Sequence, residues 1–187
     1  MTISIKWADK TLAKFGKQIE RLNTEFPVVL PRIVNQVGNR AKTQVIRNLT
    51  KQTGLPRKTI VSAVEVSAAG GKKLSYDMVT RGGNIRLKYL NPKETPDGVV
   101  AKPFGKTTTY PGAFLKGGAF PDRKAVDKFG GHAFYRLNKS GTKITYARSG
   151  VRIPVEMTTG ATAAAFEKTA SELLQPRVMA AIDKLLK

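Results

Sequence analysis

The stretch Phe26 to Gly54, FPVVLPRIVNQVGNRAKTQVIRNLTKQTG, constrains this chain more than any other. Leu30, Ile33, Val34, Val37, Ala41, Val45 and Leu49 recur three, four and seven residues apart, so a helix of 3.6 residues per turn gathers them on one stripe. Arg32, Arg40, Arg47 and Lys51 fall together on a different face. No Asp or Glu occurs between Glu25 and Glu65 to offset them. The helix therefore faces an apolar core on one side and, on the other, either an acidic partner or water.

The charge bias extends well beyond this helix. Thirty-three Lys/Arg against thirteen Asp/Glu give a net charge of +20, which repels itself unless a partner, counterions or spatial dilution relieves it. DNA, RNA, an acidic protein surface or an anionic membrane could each do so. Basic residues exceed acidic ones in every third of the chain, which disfavours a disordered basic arm. With 187 residues, 41% of them hydrophobic, the chain can bury a core, and one domain spanning 1–187 is expected. Cysteine is absent, which excludes disulfides and thiolate metal sites and suits a reducing cytosol. The N-terminal MTISIKWADK lacks an apolar signal core, and no run approaches the ~20 apolar residues of a membrane span. A soluble intracellular product is expected.

Period-two alternation predicts a strand at Thr2–Trp7, followed by a helix over about residues 10–23, capped by Asp9 and carrying Leu12, Phe15, Ile19 and Leu22 inward. Pro27 and Pro31 open the second, long helix, where a missing N–H costs little. Val28 and Ile46 project off its main stripe and hint at contacts on a second side. Gly54 stops it, and Leu55-Pro56-Arg57-Lys58 turns into a short helix. Val61–Val66 then takes up a β pattern. Leu74–Thr80 and Ile85–Leu90 read as strands joined by a hairpin turn at Arg81-Gly82-Gly83-Asn84, with Arg86 and Lys88 on a wet, basic face. Residues 91–123, broken by five prolines, read as an extended loop excursion holding short strands at Val99–Ala101 and Ala113–Leu115. Strands follow at His132–Leu137 and Lys143–Tyr146, and Pro154 places Val151–Met157 at a sheet edge or exit. A final helix carries Phe166, Leu173, Leu174, Val178, Ile182 and Leu185 on one broad side, kinked or divided at Pro176. The fold class is α+β: N-terminal helices and a C-terminal helix on a mainly antiparallel sheet, with the Pro/Gly-rich excursion.

Catalysis has little to stand on. His132 is the only histidine, the acids are scattered, and no phosphate-binding or dinucleotide fingerprint occurs. No catalytic, cofactor or metal site and no small-molecule substrate is expected. Phosphate contacts need dense Lys/Arg, which the chain supplies, whereas stacking platforms need exposed aromatics, and Phe, Trp and Tyr together make up only 7%. The candidate contact residues are Arg32, Arg40, Arg47, Lys51, Arg57 and Lys58, with Arg136, Lys143, Arg148 and Arg152 as a second patch. Solubility and local ion pairing account for the same charges equally well.

The order of elements resembles the prophage minor tail protein Z family, the tail completion proteins of lambda-type long-tailed phages. Four strings carry the likeness: Lys51-Gln52-Thr53-Gly54-Leu55-Pro56-Arg57-Lys58 at the end of the basic helix, Tyr110-Pro111-Gly112-Ala113-Phe114-Leu115, Ala133-Phe134-Tyr135-Arg136, and Arg152-Ile153-Pro154-Val155-Glu156 before the closing helix. It spans nearly the whole length. The resemblance implies a virion component, assembled in the bacterial host cytoplasm, that acts late at the head-proximal end of the tail tube. There it makes the tail competent for head joining and for placement of the DNA end. The expected partners are other tail and head–tail connector proteins and further copies of the chain in a ring around the DNA channel, with DNA contacted nonspecifically. The family supplies no catalytic residues. The competing expectation is a free basic nucleic-acid-binding protein of ribosomal or nucleoid type.

Overall fold

The computed structural model describes residues 10–71 and 73–186, with side chains from Gly16 onward. The predicted strand Thr2–Trp7, the Asp9 cap and the side chains of Leu12 and Phe15 lie outside the described residues. The architecture is α+β, helices with small antiparallel sheets. Helix α1 spans Lys10–Thr53, α2 Arg57–Ala63, α3 Ile153–Met157 and α4 Gly160–Leu186. The strands are β1 Val64–Ser67, β2 Asp77–Thr80, β3 Lys93–Thr95, β4 Gly98–Ala101, β5 Thr108–Pro111, β6 Phe134–Arg136 and β7 Ile144–Tyr146. They form three separate sheets, β1-β2, β3-β4-β5 and β6-β7, where one sheet was expected.

The two helices expected on either side of Pro27 are one. α1 runs unbroken through Pro27 and Pro31. Four residues apart, the two prolines put their defects in register: the carbonyl that Pro31 cannot bond is that of Pro27 itself. Burial of Pro31 and of Ile33, Val37 and Ala41 just beyond it keeps the helix in place past the defect. At the far end Gly54 stops the helix with φ +73°, as the sequence requires. A side chain there would meet the Lys102 carbonyl at 2.5 Å. Thr53 folds its hydroxyl back to donate to the Leu49 carbonyl at 2.6 Å while accepting from the Leu55 amide at 3.2 Å.

Contacts divide the chain into two compact units. The first holds residues 10–41, Val66–Asp77 and 167–186. Here Gly38 lies so close to the Tyr76 ring that a Cβ would sit 2.3 Å from it, and Tyr76 donates its hydroxyl to Asn39 Oδ1 at 2.8 Å. Asn35 imitates a strand partner: its amide donates to the Ala69 carbonyl and its carbonyl accepts from the Ala69 amide, both at 2.8 Å. Gln18 donates to the Leu186 carbonyl and Arg177 to Gln36 at 3.0 Å, so α4 runs antiparallel to this part of α1. α4 continues through Pro176 as a single helix, undivided. Val28, off the main stripe, is 55% exposed.

The second unit, Lys42–Glu65 and Met78–Phe166, contains the main core. Val45, Ile46 and Leu49 of α1 and Ile60 of α2 pack with Leu87, Leu90, Val99, Ala147, Val151 and Ile153. Ile46, which looked like a second-side contact, belongs to this core. So does part of the supposed excursion: residues 93–111 form the antiparallel meander β3-β4-β5, with Val99 opposite Tyr110, and Val99 and Ala101 are buried. Its prolines sit at turns and strand ends, where proline is tolerated in sheets. Ile85–Leu90 is not a strand of a hairpin. Leu87–Leu90 is a 3-10 turn that buries Leu87 and Leu90, three residues apart, and closes on Asn91 in the left-handed region. Val151–Met157 is likewise no edge strand, since Pro154 occupies the first turn of α3. Gln52 ties the helices of this unit together, donating to Glu156 at 2.6 Å and accepting from the buried Thr162 hydroxyl at 2.9 Å.

Candidate nucleic-acid interface

The ladder around β6 has two unlike faces. One, with Ala133, Tyr135 and Ala147, turns into the main core. The other carries an aromatic row. Phe114 pairs with Phe134, and Phe134 with Tyr146, so alternation puts all three on the same side. Ring centroids are 6.2 Å apart for the first pair and 4.9 Å for the second. Phe129 and His132 pack against the row, at 5.0 Å from Phe134 and 5.0 Å from Tyr146 respectively.

Arginines cap this row. Arg86 lies 3.7 Å from the Tyr146 ring centroid, and Arg136 lies 4.8 Å from that of Phe114. Arg123 reaches Phe120 at 5.1 Å and Phe114 at 6.0 Å. Its charge is neutralised within the fold by Glu94 at 3.1 Å. Glu94 also accepts from the Leu115 amide at 3.2 Å.

Arg86 and Arg148 are bridge partners on neighbouring antiparallel segments. The Leu87 amide donates to Ala147 at 3.1 Å and the Ser149 amide to Ile85 at 2.8 Å, which makes 86/148 a non-hydrogen-bonded pair. Such pairs bring Cα atoms to about 4.5 Å with both side chains on one face. Like charges directly opposite one another destabilise a sheet, so this pair opposes folding unless something anionic joins it.

All ten cations expected to make contacts are exposed. None belongs to the four ion pairs among the described residues. Arg32 and Arg40 lie in the first unit, and the other eight in the second. Arg47 and Lys51 follow one turn apart on α1, leading to Arg57 and Lys58 at the start of α2. Arg136 lies at the Phe114 end of the aromatic row and Arg148 is paired with Arg86 at the Tyr146 end, Lys143 stands just before β7, and Arg152 directly precedes α3. Arg86 and Arg123 were missed as site residues. The alternation of Arg86 and Lys88 with apolar neighbours marked a basic face, but Arg148, 62 positions on, is brought beside Arg86 only by the fold.

His132 shares this environment. Burial among the rings, then the charges of Lys88 and Arg86, hold its imidazole below the ordinary value. A base whose folded pKa is depressed stays neutral while the unfolded chain takes up a proton near pH ~6.5, so stability is lost as pH falls through that value. The urea midpoint of the wild type is expected to drop between about pH 7.5 and 5.5, and His132→Gln to flatten that drop. An equal drop in the variant would remove His132 as the cause.

Among the described residues, no group of three His, Asp or Glu could hold a metal ion, and no helix is long and apolar enough to cross a membrane. No protein-family model, curated protein or solved structure matches the chain.

Proposed function

We propose that this chain is a structural, non-enzymatic protein of a phage virion that completes the tail at its head-proximal end for head joining, as copies in a ring, and that its basic side chains face DNA without reading sequence. The tail assignment rests on the order of elements and the strings shared with the minor tail protein Z family. The DNA contact is carried by one observation: ten exposed Lys/Arg side chains, distributed over both units, take no part in the ion pairs of the described residues. Spread charge of this kind suits a polymer with one phosphate per ~1.7 Å of axis better than a compact acidic ligand. A non-catalytic role is supported by His132, whose ring is wedged edge-on against Tyr146 and Phe134.

Two measurements test this reading. Purified virions are expected to contain the protein at the head-proximal tail end, and its absence from them would overturn the tail assignment. Duplexes of unrelated sequence are expected to bind equally well, with affinity falling on the order of a thousandfold between 50 and 200 mM salt if about six phosphates are neutralised. Steep, salt-dependent binding by a monomer that never joins tail tubes would instead favour the free nucleic-acid-binding reading.

A further inference from the structure

The opposed pair Arg86/Arg148 has a geometry that general surface charge does not explain. We infer that these two guanidinium groups form a clamp for a single backbone phosphate of DNA, a site that deepens, and rests on, the nucleic-acid contact proposed above.

Three observations converge. First, Arg86 lies over the Tyr146 ring at 3.7 Å, so the ring holds the guanidinium in place before any ligand arrives. Its N–H groups meet no acceptor: among the described residues, no hydrogen bond or ion pair engages the Arg86 or Arg148 side chain. Second, the bridge register sets Arg148 directly opposite on the same face. Two forks a strand apart can each donate to different oxygens of one tetrahedral phosphate, whereas a planar carboxylate is satisfied by a single fork. Third, the pair is held together at a cost, since like charges face each other and, among the described residues, no carboxylate pairs with either. An anion shared between them removes that repulsion. Arg136 at the other end of the aromatic row continues the charge across the sheet, which fits a ligand with repeating phosphates and not an isolated ion.

The test uses the full chain, a short labelled duplex and fluorescence anisotropy across a salt series. R86Q/R148Q is expected to weaken binding by about tenfold or more and to lower the magnitude of the salt slope by about one, the contribution of one phosphate. K17Q/K184Q removes the same charge from exposed positions of the first unit, which contributes nothing to the row, and is expected to lose less than about threefold, by long-range attraction alone. R86K/R148K keeps both charges but not the forks, and is expected to lose several-fold. Circular dichroism melts establish that each variant folds. Equal losses in the two glutamine doubles would overturn the clamp while leaving nonspecific DNA binding standing. Wild-type affinity in the lysine double would also overturn it. A wild type that binds no DNA would remove the clamp and the DNA contact together. Inorganic phosphate is titrated at matched ionic strength. Saturable binding that leaves DNA affinity unchanged would show a free-anion site and overturn the assignment to DNA.

Discussion

Glu94→Ala is expected to destabilise the second unit by about 3–5 kcal/mol, read as a shift in urea denaturation followed by far-UV circular dichroism. Only 5% of the Glu94 side chain and 12% of the Arg123 side chain remain exposed, so their 3.1 Å contact is largely withdrawn from water. Cutting back the carboxylate strands the Arg123 guanidinium in a place where water cannot replace its partner. The Leu115 amide loses its acceptor as well. The effect reaches the candidate interface, because Arg123 stands over Phe114 and Phe120 and also donates to the Lys116 carbonyl. The size of the loss reflects an orphaned charge, not the net worth of the pair. Glu94→Leu combined with Arg123→Met is therefore expected to recover much of the loss, as buried pairs replaced by apolar groups often do. A single-variant cost below about 1 kcal/mol would mean that the pair is solvated in practice.

Leu49→Ala is expected to cost about 3–4 kcal/mol in the same assay. Leu49 has no exposed surface and lies among Val45, Leu55, Ile60 and the strand residues of the main core. Its loss removes both transfer free energy and the contacts that lined the side chain, since rigid neighbours from several elements cannot all close in. The backbone there is also committed, because the Leu49 carbonyl takes the Thr53 hydroxyl in the helix-ending arrangement before Gly54. By contrast Val28→Ala, on the same helix but 55% exposed, is expected to change stability by less than about 0.5 kcal/mol. If both variants cost the same, the division of α1 into a core stripe and a wet side would be wrong.

Much of the fold was readable because the relevant signals are local. The stripe through Ile33, Val37, Ala41, Val45 and Leu49 is buried as its spacing requires, and Gly54 ends the helix by adopting a positive φ. β4 covers the apolar island Val99–Ala101, and β6 and β7 lie within the predicted strands His132–Leu137 and Lys143–Tyr146. The errors fall where tertiary burial overrides a local rule. Prolines 27 and 31 were expected to open a helix, yet both sit inside one, and of the two outcomes expected at Pro176, a kink or a division, the helix is not divided. Leu87 and Leu90 read as part of an alternating strand, but the core draws both in from one 3-10 turn. The excursion at 91–123, with short strands inside it, was inferred from its prolines together with many Gly, Lys and Thr residues, a composition that cannot tell how far such strands pair into a sheet.

The candidate interface divides in the same way. Charge density and the lack of acids beside Arg32 to Lys58 are properties of composition and spacing, and the sequence alone determined them. The pairing of Arg86 with Arg148, the row Phe114–Phe134–Tyr146 and the neutralisation of Arg123 by Glu94 join residues between 12 and 62 positions apart. No periodicity reports such contacts. They depend on which strands pair and in what register, and a shift of one residue would turn every one of these side chains to the opposite face. Sequence determined that the chain is basic and where its helices bury themselves; only the tertiary structure decided which two arginines must share a face.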